Sequence, residues 1–280
     1  MTSPKIAYQG EPGAYGHQAC REAKPDHEPL ACPTFEDALA AVREGRADLG
    51  MIAVENSTYG RVADVHQLLP DSGLHIVEEA FVRVRIALMA PKGAKLEGLR
   101  RVRSMSILLG QARGFLNAHG LERLNWSDNA AAARKVAEMA DPAEGALASP
   151  MAAEVYGLDL LAEDIEDEAS NTTRFYIMAR DVDLQRRGSS GMITSFVFRV
   201  RNIPAALYKA MGGFATNGVN MTKLESYMVG GNFTATQFYA EIEGHPDDAA
   251  VMRAMEELDY FTDYLHVMGV FPAAKPHHAT

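Results

Sequence analysis

The sequence predicts an α/β protein built from two folding units, the second a ferredoxin-like module. Three observations carry this reading. Through the first two thirds of the chain, short apolar runs alternate with stretches of helical periodicity, the pattern of a sheet covered on both faces. At 181–191 the composition breaks, as charged residues give way to Arg187-Gly188-Ser189-Ser190-Gly191, a solvated linker. Beyond it the order strand-helix-strand-strand-helix-strand is that of a split βαβ unit. A chain of 280 residues can hold two moderate domains, each with its own core. The expected boundaries are 1–180, a linker at 181–191, 192–272, and a loose tail at 273–280.

In the first part, Lys5-Ile6-Ala7-Tyr8 reads as a strand and 14–23 as a helix. Phe35, Ala38, Leu39 and Val42 fall at i, i+3, i+4 and i+7, one apolar helix face. Thr34 stands where an N-cap belongs, with Asp37 three residues on. Leu49-Gly50-Met51-Ile52-Ala53-Val54 reads as a buried strand. The alternation continues with a helix near 61–70, strands near 74–90, a helix near 107–119 and a strand near 121–126. A helix at 129–140 follows, with strands around 145–149 and 174–179. In the second part, a strand at 193–200 places Phe196, Phe198 and Val200 on one face. Pro204 opens a helix with Leu207, Met211 and Phe214 on one side, closed by Gly218. Strands near 219–229 and 232–243 flank the turn signal Gly230-Gly231-Asn232. Val251, Met255 and Leu258 align on a second helix, and a last strand covers 264–271.

Composition narrows the function classes. Hydrophobic residues make up 47% and charged residues 23%, which is ordinary globular usage. The net charge of −10 argues against nucleic-acid and anionic-membrane partners, since both need a basic face. Cys20 and Cys32 lack metal-ligand spacing and read as buried or half-buried thiols; no metal or cofactor is expected. The strand-like start without a basic-then-apolar leader, and the lack of any apolar stretch of ~20 residues, lead to the expectation of a cytoplasmic protein. The His277-His278 pair reads as solvated tail.

Three polar clusters stand where chemistry is carried. At Gly10-Glu11-Pro12-Gly13-Ala14-Tyr15-Gly16-His17 a glycine-rich turn follows a strand and opens a helix. Its backbone N–H groups at the helix start suit a carboxylate or phosphate, although a tight turn alone accounts for the same residues. Val54-Glu55-Asn56-Ser57-Thr58-Tyr59-Gly60-Arg61 is a polar run at the end of a buried strand, the place where open α/β sheets put ligand groups. Turn and cap duties explain Asn, Ser and Thr there equally well. In Asn171-Thr172-Thr173-Arg174-Phe175 a hydroxyl adjoins a permanent cation able to grip a carboxylate with two prongs, or to pair with nearby acids.

Together, in this order and approximate spacing, the clusters resemble those of prephenate dehydratase. After the linker, Ala205-Ala206-Leu207-Tyr208 and Asn220-Met221-Thr222-Lys223-Leu224-Glu225-Ser226 are similar to the helix and following strand of an ACT module, the ferredoxin-like fold that senses amino acids. The resemblance covers nearly the whole chain. It implies a two-lobed catalytic domain like that of periplasmic solute-binding proteins, with the site in the cleft. It further implies Thr173 as the central catalytic residue, with Glu55, Asn56 and Arg174 as partners. Gly13, Ala14, Tyr15, Ser57, Ser104, Gln111 and Thr172 are the expected substrate contacts. An effector would meet Ala205, Ala206, Leu207, Asn217, Asn220, Met221, Glu225 and Ser226. The sequence departs from the family at two places. Met105-Ser106-Ile107 stands where the family has His-Pro-Gln, and Glu225-Ser226-Tyr227-Met228 where it has Glu-Ser-Arg-Pro.

The implied reaction takes CO₂ and the ring hydroxyl from prephenate, giving phenylpyruvate, without a cofactor. Thr173 is expected to hydrogen-bond the departing hydroxyl, with Glu55 as proton source and Arg174 as the dominant anion grip. L-phenylalanine is the expected effector, and a homodimer or homotetramer the expected assembly, because a small module with open strand edges needs a partner. The same motifs fit arogenate dehydratase, and the same fold fits a non-catalytic small-molecule binding protein.

Overall fold

The computed structural model of the chain describes residues 3–168, 170–182, 191–201, 203–228 and 235–274, with backbone alone at 63, 64, 235 and 236. Residues 183–190 of the expected linker, the Gly230-Gly231-Asn232 turn and the His277-His278 pair lie outside them. The described residues fall into two units: residues up to 65 with 80–175, and 66–79 with those from 176 onward. Among the described residues no helix is long and apolar enough to cross a membrane.

The first unit has two lobes. In the first lobe β1 (Lys5–Gln9) connects through α1 (Tyr15–Ala23) to β2 (Glu28–Cys32), and this through α2 (Phe35–Arg43) to β3 (Leu49–Asn56). β1 lies between β2 and β3, parallel to both, so Ile6, Ala7 and Tyr8 are wholly buried. α2 begins as expected: Thr34 Oγ1 accepts from Asp37 N at 3.1 Å and donates to the Asp37 carboxylate at 3.0 Å. β4 (Gly60–Arg61) turns back on β3, and α3 (Ala63–Leu68) leads to β5 (His75–Arg83).

The second lobe is a five-stranded sheet. Its elements are β6 (Ala87–Ala90), β7 (Arg101–Ser104), α4 (Ser106–Gln111), α5 (Arg113–Ala118) and β8 (Glu122–Asn125). They continue through α6 (Asn129–Met139), β9 (Glu144–Ala148), α7 (Pro150–Tyr156) and β10 (Asp159–Ala162). The strand order is β10-β6-β9-β7-β8. β9 is buried along its whole length, as a central strand covered on both faces must be. Alanines of α6, β9 and α7 form one core, their small side chains letting helices sit close to the sheet. β11 (Thr172–Ala179) then returns to lie beside β3. Its first four residues belong to the first unit and its last four to the second.

The second unit is the expected βαββαβ module: β12 (Met192–Val200), α8 (Ala206–Thr216), β13 (Met221–Met228), β14 (Ala235–Glu243), α9 (Ala249–Phe261) and β15 (Thr262–Pro272). The order β13-β14-β12-β15 is antiparallel throughout. Phe196, Phe198 and Val200 do share a face, buried with Phe214, Phe238 and Leu258 beneath the helices. β5 joins the outer edge of β15 in parallel, with Gly269 opposite Ile76.

Some expectations are corrected. The helix near 107–119 is two short helices that break at Ala112, whose φ of −110° and ψ of 24° are not helical. Pro204 does not open α8; the helix starts at Ala206 after Ala205, which adopts a left-handed φ of 62°. β2, α7 and β10 have no counterpart in the sequence reading.

The edge contact at Gly269 admits no side chain, because a Cβ there would lie 2.3 Å from the Ile76 carbonyl oxygen. Gly269→Ala is therefore expected to cost about 1–3 kcal/mol in a urea denaturation series, as overpacking does. An unchanged midpoint would show that the pairing contributes nothing.

Candidate functional site

Strand alternation decides which side chains meet. Thr173 and Arg174 are neighbours on β11 and point to opposite faces, as do Glu55 and Asn56 on β3. Asn56 and Thr173 share one face. Asn56 Nδ2 donates to Thr173 Oγ1 at 3.0 Å and to Asn171 Oδ1 at 2.7 Å. Asn56 Oδ1 accepts the backbone N–H groups of Thr58 and Tyr59, each at 3.0 Å. This fixes the amide orientation, since a flipped group would set NH₂ against two donors. All four hydrogen-bonding positions of Asn56 are thus used. Thr173 Oγ1 receives a hydrogen from Asn56, so its own hydrogen must point elsewhere.

Thr173 also lines a cavity of about 380 Å³, together with Tyr15, Asn56, Gln111, Asn129 and Asn171 and with apolar walls from Val84, Met105, Ile107 and Leu108. A smaller hollow of about 160 Å³ adjoins it through the shared Tyr15, Met105, Asn129 and Thr173, and takes in Ala14. Three amide atoms of the lining are buried without a partner: Gln111 Oε1, Asn129 Oδ1 and Asn171 Nδ2. Unmet buried amides each cost about 1–3 kcal/mol. Arg61 is the only charged residue among the described residues lining the larger cavity.

The other expected residues are placed as follows. Glu55 and Arg174 meet on the opposite face, Oε2 to Nη1 at 3.8 Å, with the guanidinium 5.8 Å from the Phe81 ring centre. Neither lines the cavity. Ser57 clips the end of β3 to β11: its N–H donates to Thr172 O, its Oγ accepts from Thr172 N, and Oγ also donates to Ser170 O. Ser104 is fully buried, with its hydroxyl on Leu147 O at 2.7 Å. In the glycine turn, Gly13 N–H goes to His17 Nδ1 and Ala14 N–H to Glu11 O, both at 3.0 Å. Gly13 has φ +89°, and a Cβ there would sit 2.8 Å from Ala152 Cα. The turn therefore packs against α7, and its first amides are engaged within it. Tyr15 reaches the cavity with its hydroxyl on Arg85 O at 2.9 Å, and burial holds the phenol protonated. Asn129 and Asn171 were not among the expected contacts; the only signal for them was their place in polar runs at the ends of elements.

In the second unit, Ala205, Ala206 and Leu207 open α8, and Met221, Glu225 and Ser226 lie on β13. Asn217 ends α8 with its amide spent on Gly213 O, Glu257 and Arg253. The backbone carbonyl of exposed Asn220 accepts from Glu243 N. Burial works against the charge of Glu225, yet Lys223, His66 and the Tyr227 hydroxyl hold its carboxyl below the usual range. Cys20 and Cys32 are buried free thiols. Among the described residues, no group of three or more His, Cys, Asp and Glu side chains converges as a metal site would.

Comparison with known proteins meets this geometry. The family model for prephenate dehydratase matches residues 6–183. A protein of Komagataeibacter europaeus, named a bifunctional N-acyl-homoserine lactone acylase/prephenate dehydratase, is 46% identical over 96% of both chains. An Arabidopsis thaliana arogenate dehydratase/prephenate dehydratase is 34% identical over 96% of this chain and 72% of its own. The solved prephenate dehydratase of Arthrobacter aurescens, in complex with L-Phe, superposes with a TM-score of 0.89 at 28% identity, covering 99% of this chain and 92% of that one. The chain belongs to the prephenate dehydratase family.

Proposed function

We propose that Thr173, oriented by Asn56, is the group that assists the departing hydroxyl in the decarboxylating dehydration of prephenate to phenylpyruvate. The observation that carries this is the pair of Asn56 Nδ2 donations, which leave the Thr173 O–H turned away from Asn56. The reaction turns a dianion and a proton into a monoanion, CO₂ and water. Hydroxide leaves only as it gains a hydrogen bond or proton, and a neutral threonine serves as a donor to it. The side chains of Asn171, Gln111 and Asn129 give the cavity its neutral polar lining. Arg61 supplies the cation of the lining. Glu55 and Arg174 act from behind the two strands as an ion pair that holds their ends together, and Ser57 and Thr172 do so through hydrogen bonds. Ser104 and Gly13 hold the backbone around the site.

The βαββαβ module of the second unit, residues 192–272, is proposed as an ACT regulatory domain sensing L-phenylalanine through the start of α8 and β13. The L-Phe complex of the Arthrobacter aurescens relative supports the effector's identity. A homodimer or homotetramer is proposed because β13 is an edge strand carrying Leu224 and Met228 at 42% and 61% exposure. A cytoplasmic setting is supported by the two unpaired cysteines.

Purified protein incubated with prephenate is expected to form phenylpyruvate; no product from prephenate, with turnover of arogenate, would reassign the substrate. Thr173→Ala should lower kcat by about 10²–10⁴-fold while Thr173→Ser keeps most of it. Normal turnover in the alanine variant would remove Thr173 from the reaction. Asn56→Asp is nearly isosteric but accepts where Asn56 donates. It should turn the Thr173 hydrogen toward itself and cost at least about 10²-fold in kcat with little change in Tm. A kcat close to wild type would show that hydroxyl orientation is not what Asn56 provides.

A further inference from the structure

One face of the second unit's sheet buries a chain of ionisable and hydroxyl groups. Glu241 on β14 is 2% exposed, and its Oε1 accepts the hydroxyls of Tyr239, at 2.8 Å, and of Tyr176. The two phenol oxygens touch, and Ser195 Oγ donates to Tyr239 at 2.9 Å. Lys223 on β13 stands opposite Glu241 in register, with Nζ 5.6 Å from the Tyr239 ring centre and 3.2 Å from Glu225 Oε1. Tyr227 donates to Glu225 at 3.1 Å, and His66 of α3 meets the Tyr239 ring edge-on at 5.1 Å. Apolar side chains would cover a sheet face at lower cost, because a desolvated carboxylate only recovers its hydration with excellent geometry. Such a cluster therefore needs a reason beyond packing.

Its two ends supply one. Glu225 lies on the proposed effector strand. Tyr176 lies on β11, three residues after Thr173, which is about 10 Å along an extended strand. We propose that Lys223, Tyr239, Glu241 and Tyr176 are positioning residues that couple effector binding at β13 to the setting of Thr173. The inference rests on the reading of the second unit as an amino-acid sensor. An amino-acid effector carries an α-ammonium group. Placed at Glu225, it competes with Lys223 for the carboxylate and frees Lys223 toward Glu241. An ammonium group brought to Glu241 competes with the phenols for its oxygens and alters its grip on the Tyr176 hydroxyl, and β11 carries the change to Thr173. The contacts from Glu225 through Lys223, Tyr239 and Glu241 to Tyr176 are continuous.

The test uses the full chain, with L-phenylalanine as the probe, calorimetry for its binding and phenylpyruvate formation for its effect. Tyr176→Phe removes one hydroxyl from Glu241 and none from the cavity. It is expected to bind L-phenylalanine as the wild type does. The change in kcat/KM at saturating L-phenylalanine should shrink by at least about fivefold, the lower end of typical allosteric coupling. Tyr239→Phe, which removes the second hydroxyl, should behave alike and serves if the first variant does not fold. A full response to L-phenylalanine in both variants overturns the coupling and leaves the effector reading intact. A wild type that neither binds nor responds to L-phenylalanine overturns the effector reading and the coupling with it.

Discussion

A primary amide nitrogen has two hydrogens and no lone pair free to accept, and the site depends on that asymmetry at Asn56. Both hydrogens are committed, one to Asn171 and one to Thr173, while the amide oxygen is locked by the turn that follows β3. A hydroxyl that receives one hydrogen bond has only its own hydrogen left to give. The constraint on the Thr173 hydroxyl therefore follows from backbone geometry at the end of the neighbouring strand. No charged group is needed to set it.

The same two strands separate functions by face. On the cavity side stand Asn56 and Thr173; on the other, Glu55 and Arg174 neutralise each other beside Phe81. Further along β11, Tyr176 takes the same alternation as Arg174 and is anchored by a buried carboxylate in the second unit. One strand thus presents the Thr173 side chain to the cavity and, three residues on, the Tyr176 hydroxyl to Glu241.

Much of this was legible before any coordinates. The Thr34 cap, the buried run ending at Glu55-Asn56 and the βαββαβ order follow from spacing, because local chemistry and periodicity determine them. Thr173, Asn56, Gln111 and Tyr15 emerged as one group only through resemblance, since residues so far apart in the chain carry no local sign of meeting. Arg174 shows the limit. A cation next to a threonine looks like part of one grip, yet consecutive strand residues cannot share a face. α7 escaped notice because Pro150-Met151-Ala152-Ala153 is too short for periodicity to register, and the polar cluster around Glu241 because its members come from separate strands.

The placement of charge fits the reaction's own balance. The substrate begins with two carboxylates and keeps one. A strong cation clamped on the departing carboxylate would favour the ground state over a transition state in which that charge disperses, which slows decarboxylation. Arg174, held away with Glu55, does not impose such a clamp. The lining instead offers neutral amides, apolar walls from Val84, Met105, Ile107 and Leu108, and the single cation Arg61 among the described residues. In the proposed reading this neutral lining leaves a departing carboxylate poorly solvated, a condition that CO₂ loss relieves.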